Sequence, residues 1–446
     1  MQTAFHASTE HVLVQLLLQI SVILIIARAV GMLFVRLGQS QSIGEIAAGV
    51  MMGPSLLGWI APGVFSTLFV PHGPPILPFL SHIALILTLF LIGMEFDYGE
   101  IPKHGKQVAA LALSTLIAPL LAGVGLAYFL WQLLPGQKGF LAYALFIGIT
   151  LAITAIPIMG RILMELSLTQ TRMGVIAITT GATKDLFTWF LLTLIIGIAR
   201  PPVDLQKFGK MVGLTALLGL LVLTLGRRLL RWAEARYGYI DGKPHPTLLS
   251  GLLIALSLCA AATSYIGIFA IFGAFLAGVA VSGQRRLAEA VADRIHDLTI
   301  LYFLPLFFTY TGLRADLSLL GRELVLACGA ATLMGSLAIG GPAYLVSRGF
   351  GMTPRESGGV ALLINTPGLM VLILLNIGLD LGVIPSGLFS LLVGSAMIKN
   401  LLTAPLLRRL SAGGLPTMSA PASSLTLPRE VLSASSETLA PPAHGA

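Results

Sequence analysis

The feature that most constrains this chain is a series of apolar segments between residues 12 and 406. Thirteen are long enough to cross about 30 Å of hydrocarbon as a helix. The second, ninth and tenth are the shortest, and a chain of 446 residues that is 56% hydrophobic and 10% charged cannot bury so much apolar surface in water. The sequence therefore predicts an all-α polytopic membrane protein with about 13 transmembrane helices. The segments lie near residues 12–36, 42–58, 76–97, 107–131, 139–163, 172–198, 209–230, 247–266, 268–283, 298–312, 323–347, 357–378 and 384–406.

The basic side chains indicate how these segments are oriented. With the N-terminus outside, 18 of the 27 lysines and arginines fall in cytoplasmic connections, 6 in outer connections and 3 within segments. This bias predicts an outer N-terminus, a cytoplasmic C-terminus and an odd number of spans in a cell (inner or plasma) membrane. It also explains the formal charge of +8 without a nucleic-acid partner.

The two ends of the chain bound the membrane domain. The first apolar segment has no basic region or small-residue cleavage site before it, so we expect a retained span and no signal peptide. Residues 411–446 are rich in Ser, Ala and Pro, which predicts a disordered cytoplasmic tail after a transmembrane domain at 1–410. No nucleotide fingerprint or metal-ligand spacing occurs, so we predict no cofactor, no metal beyond a transported ion and no enzymatic activity.

The chain repeats itself. The segment TKDLFTWFLL aligns with IKNLLTAPLL, so that Lys184 corresponds to Lys399 and Asp185 to Asn400. Three further matches follow in the same order at nearly constant offset: Ala48-Gly49-Val50 with Ala277-Gly278-Val279, Gly93 with Gly312, and Pro157 with Pro367. The repeats cover about 12–198 and 247–407, and a single linking span between them makes the second repeat inverted.

Inverted repeats that each contain a broken helix indicate a secondary transporter whose binding site lies near the membrane midplane. Pro157 and Pro367 remove backbone donors from their segments. Residues beside them can satisfy or tolerate an unwound backbone. These are Thr154, Asn365, Thr366 and Gly368.

One acidic residue, Asp185, lies in the middle of a predicted span, where a charge is costly and is a functional candidate. A carboxylate there can hold a proton or a small cation, but not both well. This competition is the minimum mechanism of cation/proton exchange, and a static salt bridge is the alternative. Its charge partner is Lys184, beside it, or Lys399, at the equivalent place of the other repeat; the sequence leaves both open.

Three further acidic residues have two interpretations each. Glu45 either caps the start of its span or lies on an ion path. Glu95 and Asp97 are at the cytoplasmic end of the third span, where they form either a solvated terminus or a funnel for cations.

Six motifs follow one another along the chain: SIGEIAAGVMMGPSLLG, LFLIGMEFD, ITAIPIMGRIL, IFGAFLAG, LPLFFTYTGLRADL and LLNIGLDLGVI. In this order they resemble the monovalent cation:proton antiporter-2 family, with its sodium/hydrogen exchanger-like membrane domain. The resemblance covers roughly residues 12–407. It implies a homodimer with crossed broken helices and elevator-like alternating access, with Asp185 as the ion-binding aspartate and Thr154 beside it.

The chain departs from this family at several places. Lys184 replaces an acid or amide, Pro367 and Val371 replace Arg and Glu, and residues 335–345 have no lysine where one is common. We expect exchange of Na⁺ or K⁺ for H⁺, electroneutral because there is one acid. Two alternatives stay open: transport of an anionic solute by the two core lysines, and a membrane sensor or channel-like module without exchange.

Overall fold

A computed structural model describes residues 2–37, 39, 41–69, 76–94, 105–155, 159–160, 163, 168, 171–198, 205–240, 243–316 and 321–412. The helices are α1 Gln2–Arg36, α2 Gln41–Met52, α3 Leu57–Ile60, α4 Pro62–Leu68, α5 Ile76–Met94, α6 Gly105–Leu133, α7 Phe140–Ala152, α8 Arg172–Ile198, α9 Leu205–Leu221, α10 Arg227–Tyr237, α11 Pro246–Ile266, α12 Ala270–Ser282, α13 Arg285–Leu298, α14 Leu304–Arg314, α15 Arg322–Gly349, α16 Pro354–Ile364, α17 Gly368–Asp380 and α18 Ser386–Ala412. Single π-helical turns, Val222–Gly226 and Thr299–Phe303, join α9 to α10 and α13 to α14.

The prediction of an all-α polytopic membrane protein is confirmed. Within the described residues, nine helical stretches are long and apolar enough to cross a membrane, and α7 and α12 are shorter apolar helices. Large apolar side chains such as Leu121 and Leu333 are exposed on the surface, as lipid contact requires. The described part of the chain does not establish the predicted count of thirteen.

Several predicted segments have different bounds in the structure. Segment 42–58 is divided into α2 and α3, and segment 357–378 into α16 and α17. The tenth segment is longer than predicted, because α13, a π-turn and α14 run continuously from Arg285 to Arg314. The predicted tail lies outside the described residues except for its first two positions, which end α18.

A small antiparallel hairpin is present beside the helices of this all-α fold. Its strands are β1 (Tyr239–Ile240) and β2 (Lys243–Pro244). The Tyr239 hydroxyl donates to the Glu234 carboxylate at the end of α10, and the Arg286 guanidinium lies 4.1 Å from the centre of the Tyr239 ring. Burial raises the pKa of Tyr239, so the phenol keeps the proton that it donates at neutral pH. Two-residue strands are too short for a periodic pattern to predict.

Local chemistry sets the ends of several helices. His245 caps α11 by accepting from the Thr247 backbone N–H at 3.2 Å, and Gly267 ends that helix with φ +104°. At the start of α16, Thr353 and Glu356 form a reciprocal capping box. These signals fix the turns that reverse the chain between neighbouring helices.

The helices form two bundles. The scaffold bundle contains α1, α2, α5, α11, α12, α13 and α14, and the core bundle contains α6, α7, α8, α15, α16, α17 and α18. Buried apolar side chains of α2, α5, α12 and α14 form one continuous cluster with those of α7, α17 and α18. The boundary between the bundles is therefore largely a contact of apolar side chains.

Within the scaffold bundle, two pairs of glycines bring helix backbones together. A Cβ built on Gly49 of α2 would lie 2.9 Å from the Cα of Gly312 of α14, and one on Gly93 of α5 would lie 3.0 Å from the Cα of Gly278 of α12. Gly49 aligns with Gly278 in the sequence, and Gly93 with Gly312. Each contact therefore joins a glycine of one repeat to a glycine of the other, and the two contacts are equivalent. A two-fold axis relating the two repeats would produce this pattern.

Substitution of Gly312 by alanine is expected to destabilise the protein by about 1–3 kcal/mol, because overpacking against backbone cannot be relieved by a rotamer change. Its Cβ would lie 2.6 Å from the Val50 amide nitrogen and 2.8 Å from the Gly49 carbonyl carbon. Thermal unfolding in detergent measures the effect. Gly340→Ala is the control, since a Cβ on this helical glycine meets no atom within 4 Å. Equal melting temperatures for the two variants would contradict the prediction.

Candidate functional site

Two interrupted helices meet inside the core bundle. Helix α7 ends at Ala152 and residues 153–155 are not helical, while α16 ends at Ile364 and α17 begins at Gly368. The Ala155 N–H donates to the Thr366 carbonyl at 2.7 Å. The Thr154 hydroxyl donates to the Ile364 carbonyl at 2.6 Å. The two non-helical stretches are therefore hydrogen-bonded to each other, as expected for crossed broken helices.

The residues of the second interruption explain its shape. Pro367 has no N–H to continue a helix, and Gly368 has φ +50°, which a residue with a side chain rarely adopts. Thr366 is fully buried, and its hydroxyl donates back to the Leu362 carbonyl at 3.2 Å. Pro157, which the sequence predicts for the first interruption, lies outside the described residues.

The first N–H of α17 has a side-chain partner. The Gly368 N–H donates to the Oδ1 atom of Asn400 on α18 at 3.2 Å. A helix N-terminus carries free N–H groups and partial positive charge, so an amide oxygen stabilises it. Asn400 is the residue that aligns with Asp185, and the alignment alone does not predict this capping role.

Asp185 is located by its helix. It lies in the middle of α8, whose bounds, Arg172–Ile198, are those of the predicted segment. Helix α8 packs against α6, α7 and α16, so it contacts helices that lead into both interruptions. The Asp185 side chain is outside the described part of the structure. Its neighbour Lys184 is completely buried on the same helix.

The second core lysine, Lys399, is on α18, and its side chain extends to α15. A Cβ built on Gly335 would lie 2.7 Å from the Lys399 Nζ atom and 2.9 Å from Leu151 of α7. The missing side chain at Gly335 thus provides room for the ammonium group. This places the charge beside residues 335–345, which contain no lysine, and near the last turn of α7 before its break. A glycine carries no sequence signal for such a contact, so the contact could not be predicted from the sequence.

Two buried oxygen atoms of the core bundle are candidate ligands for a hard monovalent cation. The Oδ1 atom of Asn365 and the hydroxyl of Thr180, one turn before Lys184, are buried and make no hydrogen bond with the described groups. Buried polar atoms normally have partners, so each is an available acceptor. Among the described residues, no cluster of three His, Cys, Asp or Glu side chains forms a metal site.

Among the described residues, the other predicted acid is Glu45, and it lies away from the crossing. Glu45 is buried at the start of α2 in the scaffold bundle, where it accepts a hydrogen bond from Gln41 at 2.8 Å. Arg28, on the neighbouring α1, donates to the Leu301 carbonyl in a π-turn at 3.2 Å. Glu95 and Asp97 lie outside the described residues. A role of these acids in an ion path stays a prediction.

Comparisons with known proteins agree on one family. The model for "Sodium/hydrogen exchanger, transmembrane" matches residues 21–410. The Na⁺/H⁺ antiporter NhaS4 of Synechocystis sp. is 35% identical over 403 residues, covering 88% of this chain and 96% of that protein. The K⁺/H⁺ antiporter 1 of Saccharomyces cerevisiae is 28% identical over 413 residues, covering 90% and 47%. This chain thus spans about half the length of the yeast protein.

A solved structure has a similar fold. The sodium proton antiporter MjNhaP1 from Methanocaldococcus jannaschii matches with a TM-score of 0.63 and 15% identity, covering 89% of this chain and 99% of that one. At this identity, the similarity shows a common fold.

Proposed function

Because this chain belongs to the sodium/hydrogen exchanger transmembrane family, we propose that it exchanges a monovalent cation, Na⁺ or K⁺, for protons across a membrane by alternating access. The observation that carries the proposal is the hydrogen-bonded crossing of residues 153–155 and 365–367, packed in one bundle with the helix that holds Asp185. Crossed broken helices are the arrangement in which transporters hold ions near the midplane.

In the proposed mechanism, Asp185 carries a proton in one direction and the cation in the other. The Thr154 hydroxyl holds the two unwound stretches together through the Ile364 carbonyl, and Asn365 offers an oxygen to the cation. Either occupant neutralises the carboxylate, so the loaded core can cross an apolar boundary without an uncompensated acid.

The proposed stoichiometry is one cation for one proton. The residue aligned with Asp185 is the neutral Asn400, which uses its amide oxygen to cap α17. Of the two equivalent positions, 185 and 400, only the first therefore holds an acid that can exchange a proton. Lys184 and Lys399 are the candidate charge partners of Asp185, and Lys399 projects its charge to the Gly335 side of the core.

A second function, transport of an anionic solute, has its own support in the buried lysines. Lys184 and Lys399 are both buried in the core bundle, and the N-terminus of α17 at Gly368 favours negative charge. Two lysines and one acid would leave a net positive site.

Reconstitution into vesicles tests these functions. With an imposed pH gradient, we expect proton movement when Na⁺ or K⁺ is added and none with choline. Clamping the membrane potential should leave the rate unchanged if exchange is electroneutral. A current that scales with transport contradicts the stoichiometry, and proton movement that requires an organic anion supports the second function. No movement with either solute favours a sensor.

The proposal includes the placement of the protein. We place it in a cell membrane as a homodimer, with the N-terminus outside, the C-terminus in the cytoplasm and a membrane domain that ends near residue 410. Labelling of cysteines introduced at the two ends, in intact and opened cells, tests the orientation. The predicted repeat bounds, 12–198 and 247–407, belong to the same proposal.

A further inference from the structure

A polar cluster lies at the boundary between the two bundles. Arg314, at the end of α14 in the scaffold bundle, forms an ion pair with Asp380, at the end of α17 in the core bundle, at 2.6 Å. Arg314 also donates to Asn376 Oδ1 at 2.9 Å, and Asn376 donates through Nδ2 to the Thr311 hydroxyl at 2.9 Å. Asn376 and Asp380 are one turn apart on α17, and Thr311 and Arg314 one turn apart on α14, so two helix faces interlock.

The cluster is unusual for its position, because the boundary is otherwise largely apolar. A further hydrogen bond lies beside it, from the Asp316 N–H after α14 to the Ser390 hydroxyl on α18 at 2.9 Å. Both groups of contacts join the bundles at the same face, which the basic-residue bias predicts to be the outer face. At the opposite face, the described residues include a weaker contact, from Gln39 Nε2 to the Leu401 carbonyl at 3.5 Å.

The ion pair is accessible enough to be broken. The Arg314 and Asp380 side chains are 19% and 34% exposed. Both line a crevice between the bundles, together with Ser81 and His82 of α5. Partly exposed ion pairs are weak because water competes for both charges. A contact of this kind can open and close during each transport cycle.

The Arg314 side chain is also held by rings from both bundles. Its guanidinium carbon lies 5.3 Å from the ring centre of Tyr310 on α14 and 5.8 Å from that of Phe389 on α18. The Tyr310 ring is on the same helix as Arg314, so this contact stays in place and keeps the guanidinium at the boundary when the core bundle carries the carboxylate away. The arginine is therefore placed to recapture Asp380 when the bundles return.

We infer that Arg314, Asn376 and Asp380 are positioning residues of the transport cycle: they form an interbundle latch that holds the crevice closed in one access state and must open for the other. The inference rests on the proposed exchange, because only a transporter with alternating access needs the bundles to move relative to each other. The latch acts on the position of the core bundle and not on the ion.

A reducible crosslink across the latch tests this directly. In a chain with Cys259 and Cys328 replaced by serine, Asp316→Cys and Ser390→Cys are joined by a short bis-methanethiosulfonate reagent. The Asp316 N–H and the Ser390 hydroxyl are 2.9 Å apart beside the latch, and Arg314, Asn376 and Asp380 are left unchanged. The crosslinked protein is expected to lose about nine-tenths or more of its exchange rate, since a bridge across moving parts stops the cycle. Reductant should restore the rate of the same sample, which shows that the protein stayed folded.

The matched control joins two helices within the core bundle. The Thr332 and Ser395 hydroxyls, on α15 and α18, are 2.9 Å apart, so Thr332→Cys and Ser395→Cys can be crosslinked in the same way. This bridge should leave exchange unchanged. If the latch crosslink is equally harmless, the bundles do not separate there and the inference is wrong. If the reduced double-cysteine chain and its cysteine-free parent both fail to exchange, the proposed function fails instead.

Swapping the charges of Arg314 and Asp380 by mutation provides a second test. Arg314→Asp alone should expose a cysteine introduced at Ser81 to a membrane-impermeant maleimide about tenfold faster, because the closed state loses its ion pair. Combining it with Asp380→Arg restores opposite charges and should return the labelling rate towards that of the parent. Equal labelling in all three chains would contradict the latch even if the crosslink stops exchange.

Discussion

Asp185→Asn is expected to reduce cation-dependent proton movement to the rate of protein-free vesicles. Asparagine keeps the size of the side chain and its hydrogen-bonding capacity, but it does not ionise. With no carboxylate, the core cannot hold a proton and a cation in turn. The measurement is the decay of an imposed pH gradient in vesicles after addition of Na⁺ or K⁺.

The matched control for this prediction is Asp297→Asn. Asp297 is on α13 in the scaffold bundle, and its side chain is 75% exposed, so the same chemical change there removes a solvated charge. It should leave the rate within the variation between preparations. Cation-dependent proton movement that survives Asp185→Asn would show that the exchanging acid is another residue.

Thr154→Val is expected to lower the exchange rate by about 10- to 100-fold, because small displacements of a binding site have effects of this size. Valine has the shape of threonine but cannot donate to the Ile364 carbonyl across the crossing. The Ala155 to Thr366 bond would then have to hold the two stretches together without its neighbour. The loss of a buried hydrogen bond also costs about 1–3 kcal/mol of stability.

Two control variants show whether the effect depends on the place of the lost hydroxyl or on the hydroxyl itself. Thr150→Val makes the same change one turn earlier on α7, where the buried hydroxyl donates within its own helix, to the Phe146 carbonyl at 2.7 Å, and to no other described residue. That variant should exchange at nearly the parental rate. Thr154→Ser keeps a hydroxyl and should retain most of the activity. If Thr150→Val and Thr154→Val are equally impaired, the bond across the crossing has no special role.

The sequence predicted the parts of the fold that depend on apolar length and on proline. Helix α8 has the predicted bounds, and the break between α16 and α17 is at Asn365, Thr366 and Pro367, as expected. Both follow from local chemistry: a helix in lipid must satisfy its own backbone, and proline removes a donor. Such features can be read from a short stretch of sequence.

Other contacts could not be predicted, because they join residues far apart in the chain. Lys399 finds its space at Gly335, a residue defined by the absence of a side chain. Arg314 reaches Asp380 across 66 positions, from motifs that were recognised without a role for either charge. Asn400 aligned with Asp185, yet its role as a cap depends on where α17 begins. Such pairs depend on how the helices pack, and the hydrophobic pattern of the sequence does not indicate them.

The glycine contacts of the scaffold bundle have a mechanical consequence. At Gly49 with Gly312, and at Gly93 with Gly278, backbone lies directly on backbone, so no side chain stands between the helices that could change rotamer and admit another packing. An interface of this kind has essentially one packing arrangement, so we expect the scaffold bundle to behave as a rigid body. Since the boundary with the core bundle is instead built largely of apolar side chains, we expect the displacement of the proposed transport cycle to be concentrated along that boundary.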